Sequence, residues 1–111
     1  MDKENKVVFA SIKLKSKFET LKEGKFEDKQ LYQYIIGAKE VLKQNPKAGD
    51  KIPHKLWPKI YKQKYNITNL WRYELPGAWR LVYTIKMDEI TILNVILEWF
   101  THKEYDRRFH Y

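Results

Sequence analysis

The sequence predicts an α+β domain in which an N-terminal strand and a helical hairpin pack on a small antiparallel β-sheet, in the order β-α-α-β-β-β. The apolar residues recur at helical spacing as far as Asn45 and Pro46, and they alternate at strand spacing from residue 69 onward. The length of 111 residues fits one core, so we expect residues 1–111 to form a single domain.

The first two elements lie before Gly24. Residues 7–11 (VVFAS) are a β-prone run and are predicted to form the first strand. Ser11 then suits the N-cap of a helix whose apolar residues recur at helical spacing, namely Leu14, Phe18 and Leu21. Gly24 is expected to end this helix, because glycine is favoured just past helix C-termini.

The second helix is predicted from an acidic start and one apolar stripe. Glu27 and Asp28 suit the positive end of a helix dipole. The stripe consists of Leu31, Ile35, Ala38 and Leu42. The helix should stop at Asn45, because the residue before a proline disfavours helical geometry. The two helices then form a hairpin with an apolar seam.

A lysine-rich stretch follows at residues 47–65, with six lysines and one acidic residue. Pro53 and Pro58 forbid one continuous helix, but Pro58 fits the first position of a short helix that reaches about Tyr65. This stretch is either an anion-binding surface or a solvated loop.

Three strands are predicted in the remainder. Residues 69–75 (NLWRYEL) alternate and end at a Pro-Gly turn, and residues 78–85 (AWRLVYTI) end at a polar turn around residues 87–89. Residues 90–100 (ITILNVILEWF) are apolar on both faces, so we expect this strand to be covered on both sides.

An arginine lies within the second of these strands. Trp79 and Leu81 share the face that we expect the hairpin to cover, and Arg80 points to the opposite face. Arg80 is then either a solvated residue, a partner of Glu74 or Glu98, or a phosphate clamp, because its fork matches phosphate oxygens.

Ionisable and aromatic residues follow the last strand. If this segment begins as a turn or short helix, His102 and Tyr105 lie on one side of it. Histidine exchanges protons near neutral pH, and Tyr105 or Tyr111 can stack on a base or position a hydroxyl. The alternative is that the aromatic residues only pack, which is the interpretation that we favour for Phe109.

The composition favours an anionic partner and limits the chemistry. The chain has 22 Lys and Arg against 14 Asp and Glu, a net charge of +8. Nucleic acid, an acidic protein or an anionic membrane surface would suit this charge, although a generically basic protein would share it. The absence of cysteine excludes disulfides and thiolate chemistry, and no His/Asp/Glu spacing suits a metal, so we expect no metal and no cofactor. No apolar run approaches the ~18 residues of a membrane span, and we expect a cytoplasmic protein.

The order of elements, with WRLVY in the third strand and His, Lys, Arg and Tyr after the last, resembles toxins of the RelE/ParE superfamily. The resemblance covers residues 7–111, and its specific motifs lie in residues 70–111. Two features depart from the family pattern: Glu98 and Trp99 stand where smaller or basic residues are expected, and residues 58–65 look like an insertion.

The resemblance implies roles for individual residues. Arg80 would contact the scissile phosphate, His102 would be the general acid or base, and Tyr105 would orient the substrate. Lys55 resembles a basic residue before the second strand, and His54 is a weaker match. On charge, the further candidates for RNA binding are Lys51, Lys59, Lys62, Arg72, Arg107 and Arg108.

The RelE, YoeB and YafQ branch implies a metal-independent, ribosome-associated mRNA endoribonuclease, which is the toxin of a type II toxin–antitoxin system and inhibits translation. The alternative is a non-catalytic protein of the same fold, either a gyrase inhibitor or a basic RNA-binding module. Glu98 favours this alternative if its carboxylate neutralises Arg80, although it could instead serve as a base. The expected partners are mRNA, the ribosome and an acidic antitoxin, in a homodimer or a toxin–antitoxin hetero-oligomer, with no membrane.

Overall fold

The computed structural model describes residues 3–109, which form a five-stranded sheet and four α-helices. The strands are β1 (Glu4–Phe9), β2 (Asp50–Lys51), β3 (Trp71–Leu75), β4 (Trp79–Met87) and β5 (Thr91–Thr101). The helices are α1 (Ile12–Thr20), α2 (Phe26–Gln44), α3 (Lys59–Tyr65) and α4 (His102–Phe109). The predicted α+β class is confirmed. Tyr111, a predicted stacking residue, lies outside the described residues.

The sheet is mixed, with the strand order β1-β5-β4-β3-β2. The strands β3, β4 and β5 form the antiparallel meander that the turns predict. The strand β1, however, pairs in parallel with β5, so the prediction of a purely antiparallel sheet is wrong. The strand β1 lies at one edge of the sheet, and after the helical hairpin the chain enters the opposite edge at β2. The strands β3, β4 and β5 then cross the sheet in order, and β5 lies beside β1 and runs parallel to it.

The helical hairpin begins and ends as its local residues predict. The Leu14 amide donates a hydrogen bond of 3.0 Å to the Ser11 side chain, which caps α1. A short 3-10 turn extends α1 to Gly24. The Asp28 carboxylate accepts a hydrogen bond from the Lys25 amide at 3.0 Å, which caps α2. The predicted stripe of α2 is buried, and it consists of Leu31, Ile35, Ala38 and Leu42.

Both faces of the sheet are covered, as the doubly apolar last strand predicts. The first face, which includes Leu81 and Tyr83, packs under α1 and α2. The second face includes Val82 and Phe100 and packs under α3 and α4; these helices contribute Tyr61, Tyr105 and Phe109. An irregularity between Val82 and Tyr83 pairs Val82 with Glu98 and leaves one extra residue in β5.

The strand β2 is absent from the sequence prediction. It consists of two exposed charged residues in the lysine-rich stretch and pairs with Trp71 and Arg72 of β3. Two charged residues carry no strand signal of their own, so only the neighbouring strand creates this element. The short helix after Pro58 is confirmed. None of the helices within residues 3–109 has the length and apolar content needed to cross a membrane.

Candidate functional site

The helix α4 follows β5 without a loop, and its first turn is capped from both directions. The Thr101 amide donates a hydrogen bond of 2.9 Å to the Glu104 carboxylate, and the Glu104 amide donates one of 3.2 Å to the Thr101 hydroxyl. The first of these bonds holds the pKa of Glu104 below its ordinary value. Tyr105 and Phe109 are buried against the sheet, so the other residues of α4 lie on its two flanks and its outer face.

Arg80 reaches one flank of α4. Its guanidinium lies 3.6 Å from the Glu74 carboxylate and 3.6 Å from the Asp106 carboxylate. Its central carbon lies 4.8 Å from the centre of the Tyr105 ring. The side chain is mostly buried, and it points to the second face of the sheet as its position in β4 predicts. Of the two carboxylates that the sequence suggests as partners, Glu74 is confirmed.

The same Asp106 carboxylate also binds His102. The Nε2 atom of His102 lies 3.2 Å from Asp106 Oδ2, and about half of the histidine side chain (54%) is exposed. One carboxylate therefore joins the two residues that the sequence predicts to act together. Asp106 is absent from the residues predicted from sequence, although its spacing of four residues from His102 on a helix was a signal for this pair.

The ring of Tyr105 lies beneath two arginines. Tyr105 is 0% exposed. The central carbon of the Arg72 guanidinium lies 5.5 Å from the centre of the Tyr105 ring, and Arg80 packs on the same ring. The Tyr105 hydroxyl lies 3.5 Å from Arg72, whose guanidinium also lies 3.5 Å from the Asp50 carboxylate. A fully buried ring cannot stack on a base that arrives from solvent. The position of Tyr105 therefore supports a role in orienting Arg72 and Arg80, and it does not support the predicted stacking on a base.

We call Arg72, Glu74, Arg80, His102, Tyr105 and Asp106 the Asp106 cluster. Its two arginines face three carboxylates if Asp50 is included. The ion pairs of Arg72 with Asp50 and of Arg80 with Glu74 are long, and these two carboxylates are 73% and 61% exposed. An incoming phosphate must displace these carboxylates from two arginines that are themselves mostly buried.

Glu98 does not contact Arg80. Its carboxylate lies 3.5 Å from Arg108 on the other flank of α4. Burial, and then the nearby Glu98 charge, raise the pKa of the Tyr61 hydroxyl above its ordinary value. The alternative in which Glu98 neutralises Arg80 is therefore wrong, because the register of β4 and β5 places Phe100 opposite Arg80 and Glu98 opposite Val82.

A cleft of about 710 Å³ opens between α3 and α4. It is lined by Trp57, Pro58, Lys59, Ile60, Phe100, Glu104, Arg107 and Arg108. Three of the predicted RNA-binding residues, Lys59, Arg107 and Arg108, meet here. A neighbouring cleft of about 380 Å³ shares Ile60 and Arg108 with it and adds Lys13, Lys17 and Lys64.

Four other predicted RNA-binding residues line neither cleft and lie outside the Asp106 cluster. Lys51 is in the edge strand β2, His54 and Lys55 are in a 3-10 turn, and Lys62 is on α3; all four are exposed. The His54 ring packs on Trp57 at 4.5 Å between centroids. Within residues 3–109, no ion pair within 4.0 Å joins these four to the Asp106 cluster.

The donor groups of the described residues do not converge as metal ligands: no three or more His, Asp or Glu side chains are grouped closely enough to hold an ion. No protein-family model matches the chain, and neither the search of curated proteins nor the search of solved structures returned a match.

Proposed function

We propose that this protein is a metal-independent endoribonuclease and the toxin of a type II toxin–antitoxin system that acts on mRNA in the cytoplasm. The observation that carries the proposal is the shared carboxylate of Asp106, which holds the Arg80 guanidinium at 3.6 Å and the His102 imidazole at 3.2 Å. A cation and a proton-exchanging group are thereby placed on one surface, as cleavage of a phosphodiester requires.

Each residue has a defined step in this chemistry. With the imidazole proton on Nε2, which faces the Asp106 carboxylate at 3.2 Å, the basic lone pair of neutral His102 is on Nδ1. That nitrogen takes the proton of the ribose 2′-OH, whose oxygen attacks phosphorus. The bond from phosphorus to the 5′-oxygen breaks, and the leaving oxygen takes a proton from protonated histidine or water. Arg80 stabilises the negative charge of the phosphorane-like transition state.

Two further observations support RNA as the substrate. The predicted order of a strand, two helices and three strands, and the motifs WRLVY and HKEYDRR, are the sequence features that resemble RelE/ParE toxins. The clefts beside α4 carry several lysines and arginines, and the chain has a net charge of +8. Such charge suits a phosphate backbone.

The test is cleavage of a labelled mRNA, either by purified protein alone in EDTA or by the protein with translating ribosomes in their Mg²⁺ buffer. We expect products with a 2′,3′-cyclic phosphate and a 5′-hydroxyl, and cleavage about 10² or more slower by folded His102→Gln protein. If the labelled RNA stays intact under both conditions, the proposed activity is wrong.

A second candidate is a non-catalytic protein that binds RNA or inhibits gyrase. It is favoured by the three carboxylates around Arg72 and Arg80, which balance the charge that a phosphate clamp needs. Primer extension on mRNA after induced expression separates the two candidates. Cuts in translated mRNA support the nuclease, whereas accumulation of cleaved DNA with intact mRNA supports gyrase inhibition.

We also propose an acidic antitoxin that is partly disordered when free. The net charge of +8 supports this partner, and the ordering cost of such a segment is offset by the surface that it buries. Co-expression with a short acidic reading frame beside the gene should yield a toxin–antitoxin hetero-oligomer. Recovery of the protein only as a monomer or homodimer would contradict the pairing.

A further inference from the structure

The cleft between α3 and α4 combines a held aromatic ring with cations. The indole Nε1 of Trp57 donates a hydrogen bond of 2.9 Å to the Ile52 carbonyl, and His54 packs on the indole ring. Phe100 and the half-exposed Ile60 add apolar surface to the lining. The ring of Trp57 is therefore held in a fixed orientation beside an open space.

The cations of this cleft differ in whether a carboxylate already pairs with them. Arg108 pairs with Glu98 at 3.5 Å, and the acidic residue in the lining, Glu104, is engaged in capping α4. Within residues 3–109, Lys59 and Arg107 have no carboxylate within 4.0 Å. These two side chains can therefore bind an anionic ligand.

We propose that the cleft is a binding subsite for one unpaired nucleobase of single-stranded RNA, with the base stacked on Trp57 and its flanking phosphates on Lys59 and Arg107. The inference rests on the proposed action on RNA and adds the recognition of single strands. An aromatic platform beside cations is the arrangement by which proteins hold unpaired bases without reading their sequence. A volume of about 710 Å³ is within the range of small-molecule sites.

The position of the cleft favours RNA over an acidic peptide. His102 and Arg107 are five residues apart on α4, which is about 7.5 Å along the helix axis. Lys103 and Arg107 are exposed between the Asp106 cluster and the cleft. A strand with its scissile phosphate at His102 can therefore cross the basic outer face of α4 and place a neighbouring base in the cleft.

The experiment measures binding of a labelled, fully 2′-O-methylated RNA dodecamer, which cannot be cleaved through its 2′-oxygen, and of an abasic strand of equal length. Wild-type protein should bind the strand with bases about ten-fold or more tightly than the abasic strand. Trp57→Leu should remove most of that difference. Trp57→Phe loses the same indole hydrogen bond but keeps an aromatic face, so it should retain most of the affinity. Phe26→Leu changes an exposed aromatic residue outside the cleft and should have no effect.

Arg107→Gln tests the phosphate contact, and it should lower the slope of log affinity against log salt by about 0.7. Equal binding of the two strands by wild-type protein, or unchanged binding by folded Trp57→Leu protein, overturns the proposal. A Glu-Tyr copolymer that binds as tightly as RNA and is lost in Trp57→Leu also overturns it, because the cleft is then a peptide site.

The readouts separate this proposal from the proposed nuclease. If binding depends on Trp57 but no RNA is cleaved by wild-type protein, the base subsite stands and the nuclease fails. If RNA is cleaved through His102 but binding is insensitive to Trp57, the nuclease stands and the base subsite fails.

Discussion

The Asp106 carboxylate contacts two side chains, and the two contacts have opposite consequences for the proposed chemistry. Binding to His102 orients the imidazole, whereas binding to Arg80 offsets the charge that the guanidinium would give to a phosphate. The proposed function requires RNA to replace the second interaction and leave the first in place. A substitution that removes the charge but keeps the shape separates the two effects.

We predict that Asp106→Asn has opposite effects on binding and cleavage. Removing one negative charge beside Arg80 should tighten binding of uncleavable RNA by about two- to ten-fold, since it strengthens the phosphate contact. Loss of the carboxylate charge that stabilises protonated His102 should slow cleavage by about ten-fold or more. Filter binding and single-turnover cleavage measure the two quantities, with Glu40→Gln, a change of an exposed carboxylate on α2, as the control. A variant with unchanged affinity and rate would remove Asp106 from the mechanism.

At the scale of residues, the alternation within one strand predicts the direction of Arg80 but not its partners. The side chains of a strand point alternately to the two faces, so the arginine must oppose Leu81. The partners depend on the register between strands, which places Phe100 rather than Glu98 opposite Arg80. Asp106 and Trp57 become site residues only because α3 and α4 pack on the same face of the sheet.

The helix α4 is the element that connects the Asp106 cluster to the cleft, and its cap sets its stability. We predict that Glu104→Ala lowers the free energy of unfolding by about 1 kcal/mol at pH 7. The pKa of Glu104 is lowered in the folded state, so its contribution is present above the unfolded value near 4.3 and is lost as pH falls through the folded value. Urea unfolding at pH 7 and pH 3 should show a larger difference from wild type at pH 7 than at pH 3. Lys103→Ala, an exposed change in the same turn, is the control; an equal loss at both pH values would contradict the account.

The chain between α2 and β2 is held to the sheet by one tyrosine. The Tyr83 hydroxyl donates a hydrogen bond of 2.7 Å to the Pro46 carbonyl and accepts one of 3.2 Å from the Gly49 amide. Burial raises the pKa of Tyr83 to about 12, so the hydroxyl is neutral in the folded protein at ordinary pH.

We predict that Tyr83→Phe lowers the free energy of unfolding by about 1–3 kcal/mol, because both backbone partners lose their bond. The raised pKa makes this contribution fully present below the unfolded value near 10, and it is lost as pH rises through about 12. Denaturant unfolding at pH 7 measures the change. Tyr34→Phe is the control, since its hydroxyl forms no hydrogen bond among those described within residues 3–109. A loss no greater than that of the control would show that the anchor is unimportant.

At the scale of elements, periodicity predicts the long helices and strands well. The stripe of α2 and the apolar run of β5 each repeat often enough to indicate their type. Periodicity does not predict the two-residue strand β2 or the parallel pairing of β1, because both depend on a partner strand that is distant in sequence. For the same reason, the position of α4 across the end of β4 is visible only in the folded chain.

For the whole molecule, the proposed function makes the positive charge a source of affinity without sequence preference. We predict that replacing Lys55, Lys59 and Lys62 together by Gln weakens RNA binding and flattens its dependence on log salt, by about 0.7 for each phosphate that the protein no longer neutralises. A matched variant, Lys3, Lys25 and Lys29 to Gln, removes the same charge from elsewhere and should have a smaller effect. Equal effects of the two triple variants would indicate that only net charge matters.

Arg80 and His102 are proposed to act on one phosphate, and the rate of RNA cleavage under single-turnover conditions measures this joint action. The rate should fall by about 10² or more in His102→Gln and also fall in Arg80→Ala, and the double variant should lose less than the two separate losses combined. Circular dichroism and urea unfolding must show each variant folded, since truncating Arg80 can itself cost ~1 kcal/mol. Cleavage at the wild-type rate by folded His102→Gln protein would contradict the account, because glutamine keeps much of the shape of histidine but cannot transfer the proton.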